Sequence, residues 1–166
     1  MTNQKPNITK RILYIDSKIT DSLGEFLDDI KLDRNLNVEV NLEIQPELGY
    51  LYLQNHRKDV DLVISQTYFA GIGGKVTLDC HRKPVEMRGG KLIGFDYYKI
   101  IKEKWPNLPF ILVGKYFTEF EAEKQTCEML KTNMKKGDTF FNENEHDQNE
   151  FTKFLSIVKQ YLNIHQ

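Results

Sequence analysis

Apolar residues in this chain fall into short runs separated by stretches with helical spacing. Ile12-Leu13-Tyr14-Ile15 runs apolar up to Asp16, which predicts a buried strand. Leu23, Phe26, Leu27 and Ile30 then share one helical face, and Thr20 is placed to cap that helix. Val38, Val40, Leu42 and Ile44 alternate with Glu39, Asn41 and Glu43. A period of two with one wet face belongs at a sheet edge. Pro46 opens a further helix, expected to turn Leu48, Leu51 and Tyr52 inward. Residues 61–65 form a third strand.

The rhythm breaks over 67–93. Gly71, Gly73, Gly74, Pro84, Gly89 and Gly90 leave no room for a long helix, and residues 76–79 and 84–87 are expected to pair as a hairpin. Alternation then resumes. Phe95, Tyr98, Ile101 and Trp105 mark a helix that Pro106 stops. Residues 110–113 are a fourth apolar strand. Thr118 and Glu121 have capping-box spacing for a helix whose inner face takes Phe120, Cys127 and Leu130. Thr139-Phe140-Phe141 is a short fifth strand, and Phe151, Phe154, Leu155, Val158 and Leu162 stripe the last helix. Strands alternating with helices predict an α/β three-layer sandwich. Its core is a five-stranded parallel sheet with five helices and an inserted loop or hairpin after strand 3. The one amphipathic strand, the second, belongs at an edge, which suits the order 2-1-3-4-5.

Composition narrows the field. At 166 residues, 40% apolar and 28% charged, the chain fits one domain at 11–166 behind a polar lead-in at 1–10. A net charge of −1 gives no general argument for direct nucleic-acid binding or for an anionic membrane. No apolar stretch approaches the roughly 20 residues that span a bilayer. Two cysteines, Cys80 and Cys127, make no disulfide framework, so a cytoplasmic setting is expected. His56, His81, His146 and His165 are scattered at no ligand spacing, and no metal site or cofactor is expected.

From about Arg11 to Leu162 the pattern resembles a response-regulator receiver domain, a flavodoxin-like fold. The resemblance implies a first strand ending in two acids that hold magnesium. Here those positions are Asp16 and Ser17. It implies an aspartate that accepts a phosphoryl group after the third strand. Here Gln66 stands there, with Ser65 the nearby alternative. The Thr or Ser expected after the fourth strand is Gly114. Phe140 can be the aromatic of the fifth strand, and the lysine three residues later is Glu143. An amide has no anionic oxygen to attack phosphorus, and magnesium usually needs one or two carboxylates. At roughly 4 Å and an effective dielectric near 20, swapping lysine for glutamate turns about 4 kcal/mol of attraction for a phosphoryl group into repulsion. The expectation is a degenerate receiver, a pseudo-receiver with no catalytic residue.

The 27 residues between Gln66 and Gly94 leave the carboxyl end of a central strand, where ligands of open α/β sheets gather. Lys75, His81, Arg82, Lys83, Arg88 and Lys91 could contact an anion or a partner there, although a solvated loop explains them better. Gly71-Ile72-Gly73-Gly74-Lys75 matches neither phosphate-loop spacing, and Cys80-His81 has no orienting acid. Asp28-Asp29 and the acids around His146 read as wet surface. Tyr50, Tyr52, Tyr97 and Tyr98 could form an aromatic surface, with one ring of each pair sent to the core. The expected function is a non-catalytic signalling or adaptor module. By resemblance, it would bind another protein or a second copy through the helices at 118–131 and 151–162. The alternative is a small-molecule or nucleotide-binding domain, or enzyme, with 67–93 as a lid.

Overall fold

A computed structural model describes residues 9–16, 28, 37–69, 76–80, 83–87, 92–143 and 150–163, with 76–80, 83–87, 150 and 151 described by backbone alone. Seven strands are present among them: β1 Lys10–Ile15, β2 Val38–Glu43, β3 Leu62–Gln66, β4 Val76–Cys80, β5 Lys83–Met87, β6 Phe110–Gly114 and β7 Thr139–Asn142. The helices are α1 Pro46–His56, α2 Ile93–Lys104, α3 Glu121–Asn133 and α4 Glu150–Tyr161. Of the helix expected at Leu23–Ile30 only Asp28 is described, helical and exposed; the other residues and Thr20 lie outside the described residues.

Five strands form one parallel sheet in the order β2-β1-β3-β6-β7, which is the expected 2-1-3-4-5. β2 lies at an edge, as its alternation predicts. The expected hairpin forms as well: β4 and β5 pair antiparallel from Val76 opposite Met87 to Cys80 opposite Lys83. The pleat sends alternate side chains to two cores. Leu13, Ile15, Val63, Phe110, Leu112 and Phe140 meet α1, α2 and α3 on one face. Ile12, Tyr14, Leu62, Ile64, Ile111, Val113 and Phe141 meet Phe154, Val158 and Leu162 of α4 on the other. Among the described residues no helix is long and apolar enough to cross a membrane.

Three side-chain expectations are corrected. α1 buries Pro46, Gly49, Tyr50 and Leu53, whereas Leu48 and Leu51 stand out at 41% and 49% exposure. The helix rests on the sheet through Gly49, where a Cβ would lie 2.6 Å from Ile15 Cδ1. The smallest residue, not the leucines, marks the inner face. The Thr118–Glu121 capping box does not form. α3 starts after Phe120 with no side-chain cap, and the Glu123 carboxylate instead accepts the Phe117 N–H at 2.6 Å. Phe120 is therefore outside, 60% exposed, while Cys127 and Leu130 are buried as expected. Of the tyrosine pairs, Tyr50 is buried and Tyr52 half-buried, one ring inward as expected, whereas Tyr97 and Tyr98 are both buried. α2 is covered on a wide arc, from Ile93 through Tyr98, because the hairpin backbone lies beside α1 and α2 as well as the sheet.

Candidate functional site

Strand register brings the expected site positions to the carboxyl end of the sheet. Ile15 pairs with Ser65, so Asp16 is level with Gln66, and the Asp16 N–H donates to Glu43 O at 3.0 Å. Gln66 pairs with Val113. Gly114 pairs with Asn142, and Glu143 follows directly. Ser17 lies outside the described residues. Ser65, the alternative acceptor, is fully buried between β1 and β6.

The pleat divides this end into two groups. Tyr14, Asp16, Gln66 and Glu143 share the face that carries α4. Gln66 Nε2 donates to Tyr14 Oη at 3.4 Å. Burial pushes the Tyr14 hydroxyl well above the ordinary tyrosine range, and the charges of Asp16 and Glu143 push it further. Both carboxylates therefore act on one phenol beside an amide. Asp16 is 4% exposed. Glu143 also titrates above its ordinary range, chiefly through desolvation, with the exposed Lys115 pulling the other way.

The second group faces α2 and α3. Gly114 has no side chain, and the space a Cβ would take is filled: Tyr116 Cε2 lies 2.5 Å and Thr67 Oγ1 2.8 Å from that point. Tyr116, 2% exposed, hydrogen-bonds the Thr67 side chain and packs edge-on against Phe140. Asn142, 1% exposed, accepts the Tyr116 N–H at 2.9 Å and donates to Tyr116 O at 3.0 Å. Tyr14, Thr67, Tyr116 and Asn142 escape sequence reasoning, since a tyrosine in an apolar run or an asparagine at a strand end reads as filler.

At the insertion, the N–H of Gly94 donates to Thr67 O at 3.0 Å. A Cβ on Gly94 would stand 1.9 Å from Gln66 O, so only glycine lets α2 start this close to β3. Lys83 falls on the hairpin backbone, and Lys75, His81, Arg82, Arg88 and Lys91 lie outside the described residues. Among the described residues no group of three or more His, Cys, Asp or Glu side chains converges as a metal site.

No family model matches the chain, and no curated protein matches it. Solved structures do resemble it. The non-phosphorylated HemR receiver domain from Leptospira biflexa is 19% identical at a TM-score of 0.55, over 95% of this chain and 98% of that one. The chemotaxis protein CheY4 of Vibrio cholerae is 14% identical at 0.53, over 91% and 99%. The manganese-bound response regulator Rcp1 is 11% identical at 0.57, over 95% and 97%. At such identities the likeness establishes the fold, which is that of receiver domains.

Proposed function

We propose that this chain is a receiver-like signalling or adaptor module that acts through protein contacts without aspartyl phosphorylation. The observation that carries the reading is Gln66. It stands at the end of β3, in the place the resemblance gives to a phosphoryl acceptor, with its amide on Tyr14, the phenol on which Asp16 and Glu143 also act. The end of β3 itself offers no anionic nucleophile, and Glu143 stands where the resemblance gives a lysine to neutralise a phosphoryl group. The donor set also differs from the paired acids that the resemblance implies for magnesium: Asp16 brings one carboxylate and Gln66 a neutral amide. Partner contacts are assigned by resemblance to the face made by α3, β7 and α4. The exposed Phe117 and Phe120 beside α3 are compatible with that role.

The test is intact-mass spectrometry after incubation with acetyl phosphate and magnesium, alongside fluorine NMR with beryllium fluoride. No adduct is expected. A stoichiometric adduct in the 61–66 segment overturns the reading.

One observation favours ligand binding instead. The β4–β5 hairpin is the next pair of strands along the chain after the central strand β3, and it lies beside α1 and α2. A thermal-shift screen against nucleotides, flavins and second messengers decides: a saturable shift that Asp16→Ala abolishes would replace the adaptor reading.

A further inference from the structure

We propose that Tyr116 is a built-in latch that holds the loop between β6 and α3 in a single conformation, so that the loop cannot relay events at the strand ends. This goes beyond the lack of acceptor chemistry. It rests on the receiver-like reading in one respect, that Gly114 stands where a switching hydroxyl would.

Three contacts build the latch. The ring of Tyr116 occupies the volume of the missing side chain at 114, and Thr67 holds its hydroxyl. Its backbone is gripped from both sides by one buried amide, with the Tyr116 N–H donating to Asn142 Oδ1 and Asn142 Nδ2 donating to Tyr116 O. Asn142 Nδ2 also approaches Cys127 Sγ at 3.5 Å, which ties the same amide to α3. Downstream, the Phe117 N–H is capped by Glu123 and the Phe120 N–H donates to Phe117 O at 3.0 Å. Leaving a buried polar group unpaired lowers an open state on the order of tenfold or more, and opening here would strand two such groups together with a void the size of a phenol. The open loop is therefore a minor species. Phe117 and Phe120, 44% and 60% exposed, are presented in one arrangement.

Nitrogen relaxation dispersion and amide hydrogen exchange on the full chain test this. Flat dispersion is expected for residues 115–120. The Tyr116 amide should exchange on the order of a hundredfold more slowly than in a free peptide. Dispersion in this loop, or a Tyr116 amide that exchanges like a free peptide, overturns the latch, and that result needs no variant. Asn142→Ala is expected to cut protection on the order of tenfold and to bring out dispersion. Thr67→Ala, the milder change, should cut it severalfold. Unchanged protection in folded Asn142→Ala, or in Thr67→Ala where the first does not fold, also overturns it. The two proposals fail separately. An adduct at 61–66 with a quiet loop ends the phosphorylation-independent reading alone, and a mobile loop without an adduct ends the latch alone.

Discussion

The two ends of the sheet treat buried charge in opposite ways. At the amino end, Lys102 and Asp138 form an ion pair at 3.0 Å with side chains only 5% and 1% exposed. Every group around it is matched. Lys102 Nζ donates to Leu108 O at 2.7 Å, and Asp138 accepts the Phe110 N–H and the Tyr98 hydroxyl, both at 3.0 Å. The Lys135 N–H closes the set by donating to Tyr98 Oη at 2.7 Å. At the carboxyl end Asp16 and Glu143 both bear on the buried Tyr14 hydroxyl, and among the described residues it is the exposed Lys115 whose charge reaches Glu143. At one end buried charge joins α2 to the starts of β6 and β7. At the other, two carboxylates bear on one phenol beside a loop held by hydrogen bonds and aromatic packing.

The largest expected effect comes from breaking the matched end. Lys102→Met leaves Asp138 buried without its cation and should cost about 3–5 kcal/mol in urea unfolding. Adding Asp138→Leu should recover a good part, since an apolar pair of similar volume is often neutral or better. A loss below about 1 kcal/mol for Lys102→Met would show that the pair is solvated and the contrast unfounded.

Next comes the filled end. Gly114→Ala drives a methyl into the Tyr116 ring and should destabilise by about 1–3 kcal/mol. In a Tyr116→Ala background the same change should cost clearly less, with only Thr67 Oγ1, 2.8 Å away, left to give, and the difference is the coupling. Additive effects would mean the ring yields freely and does not plug position 114.

Alkaline pH compares both ends in one titration. Burial pushes Tyr98, at the amino end, up to about 12, with Asp138 adding to the shift. Burial likewise pushes Tyr116 up to about 12. A phenol whose folded pKa is raised supports stability below its unfolded value, near 10, and that support is lost as pH rises toward the folded one. Urea midpoints should hold to about pH 10 and fall between 10 and 12. Tyrosinate absorbance from these two rings should appear only with unfolding. Ionisation of either ring in folded protein near pH 10 would mean its hydroxyl is wet.

Sequence pattern revealed the sheet, its order and the hairpin, because alternation and apolar runs report burial directly. Helix faces were less legible. In α1 the leucines outweighed Gly49 in any apolar count, yet close packing on Ile15 needs the absence of a Cβ, not hydrophobicity. Phe120 reads as inward only when helical spacing is carried past the start of α3 at Glu121. Of the site, Asp16, Gln66, Gly114 and Glu143 could be found by position along the strands. Asn142 and Tyr116 could not, since their role depends on a strand end meeting a loop 26 residues away. The lysine network is also hidden: one of three lysines in an amphipathic helix and an aspartate after a glycine look like solvated residues.

Glu143 offers the smallest effect and separates the two ends most cleanly. Its folded pKa lies above its ordinary value because burial disfavours the charge. Stability linked to it is complete below the ordinary carboxylate range and declines as pH rises through the raised folded value. Glu143→Gln keeps the shape and removes that charge. The variant should match the parent at acid pH and exceed it slightly at neutral pH, by about half a kcal/mol or less for so partly buried a group. Urea midpoints at pH 4 and pH 7.5 are the measurement. A variant weaker than the parent at neutral pH would mean that the carboxylate is held by a cation at this end too. The ends of the sheet would then differ in partner and not in principle.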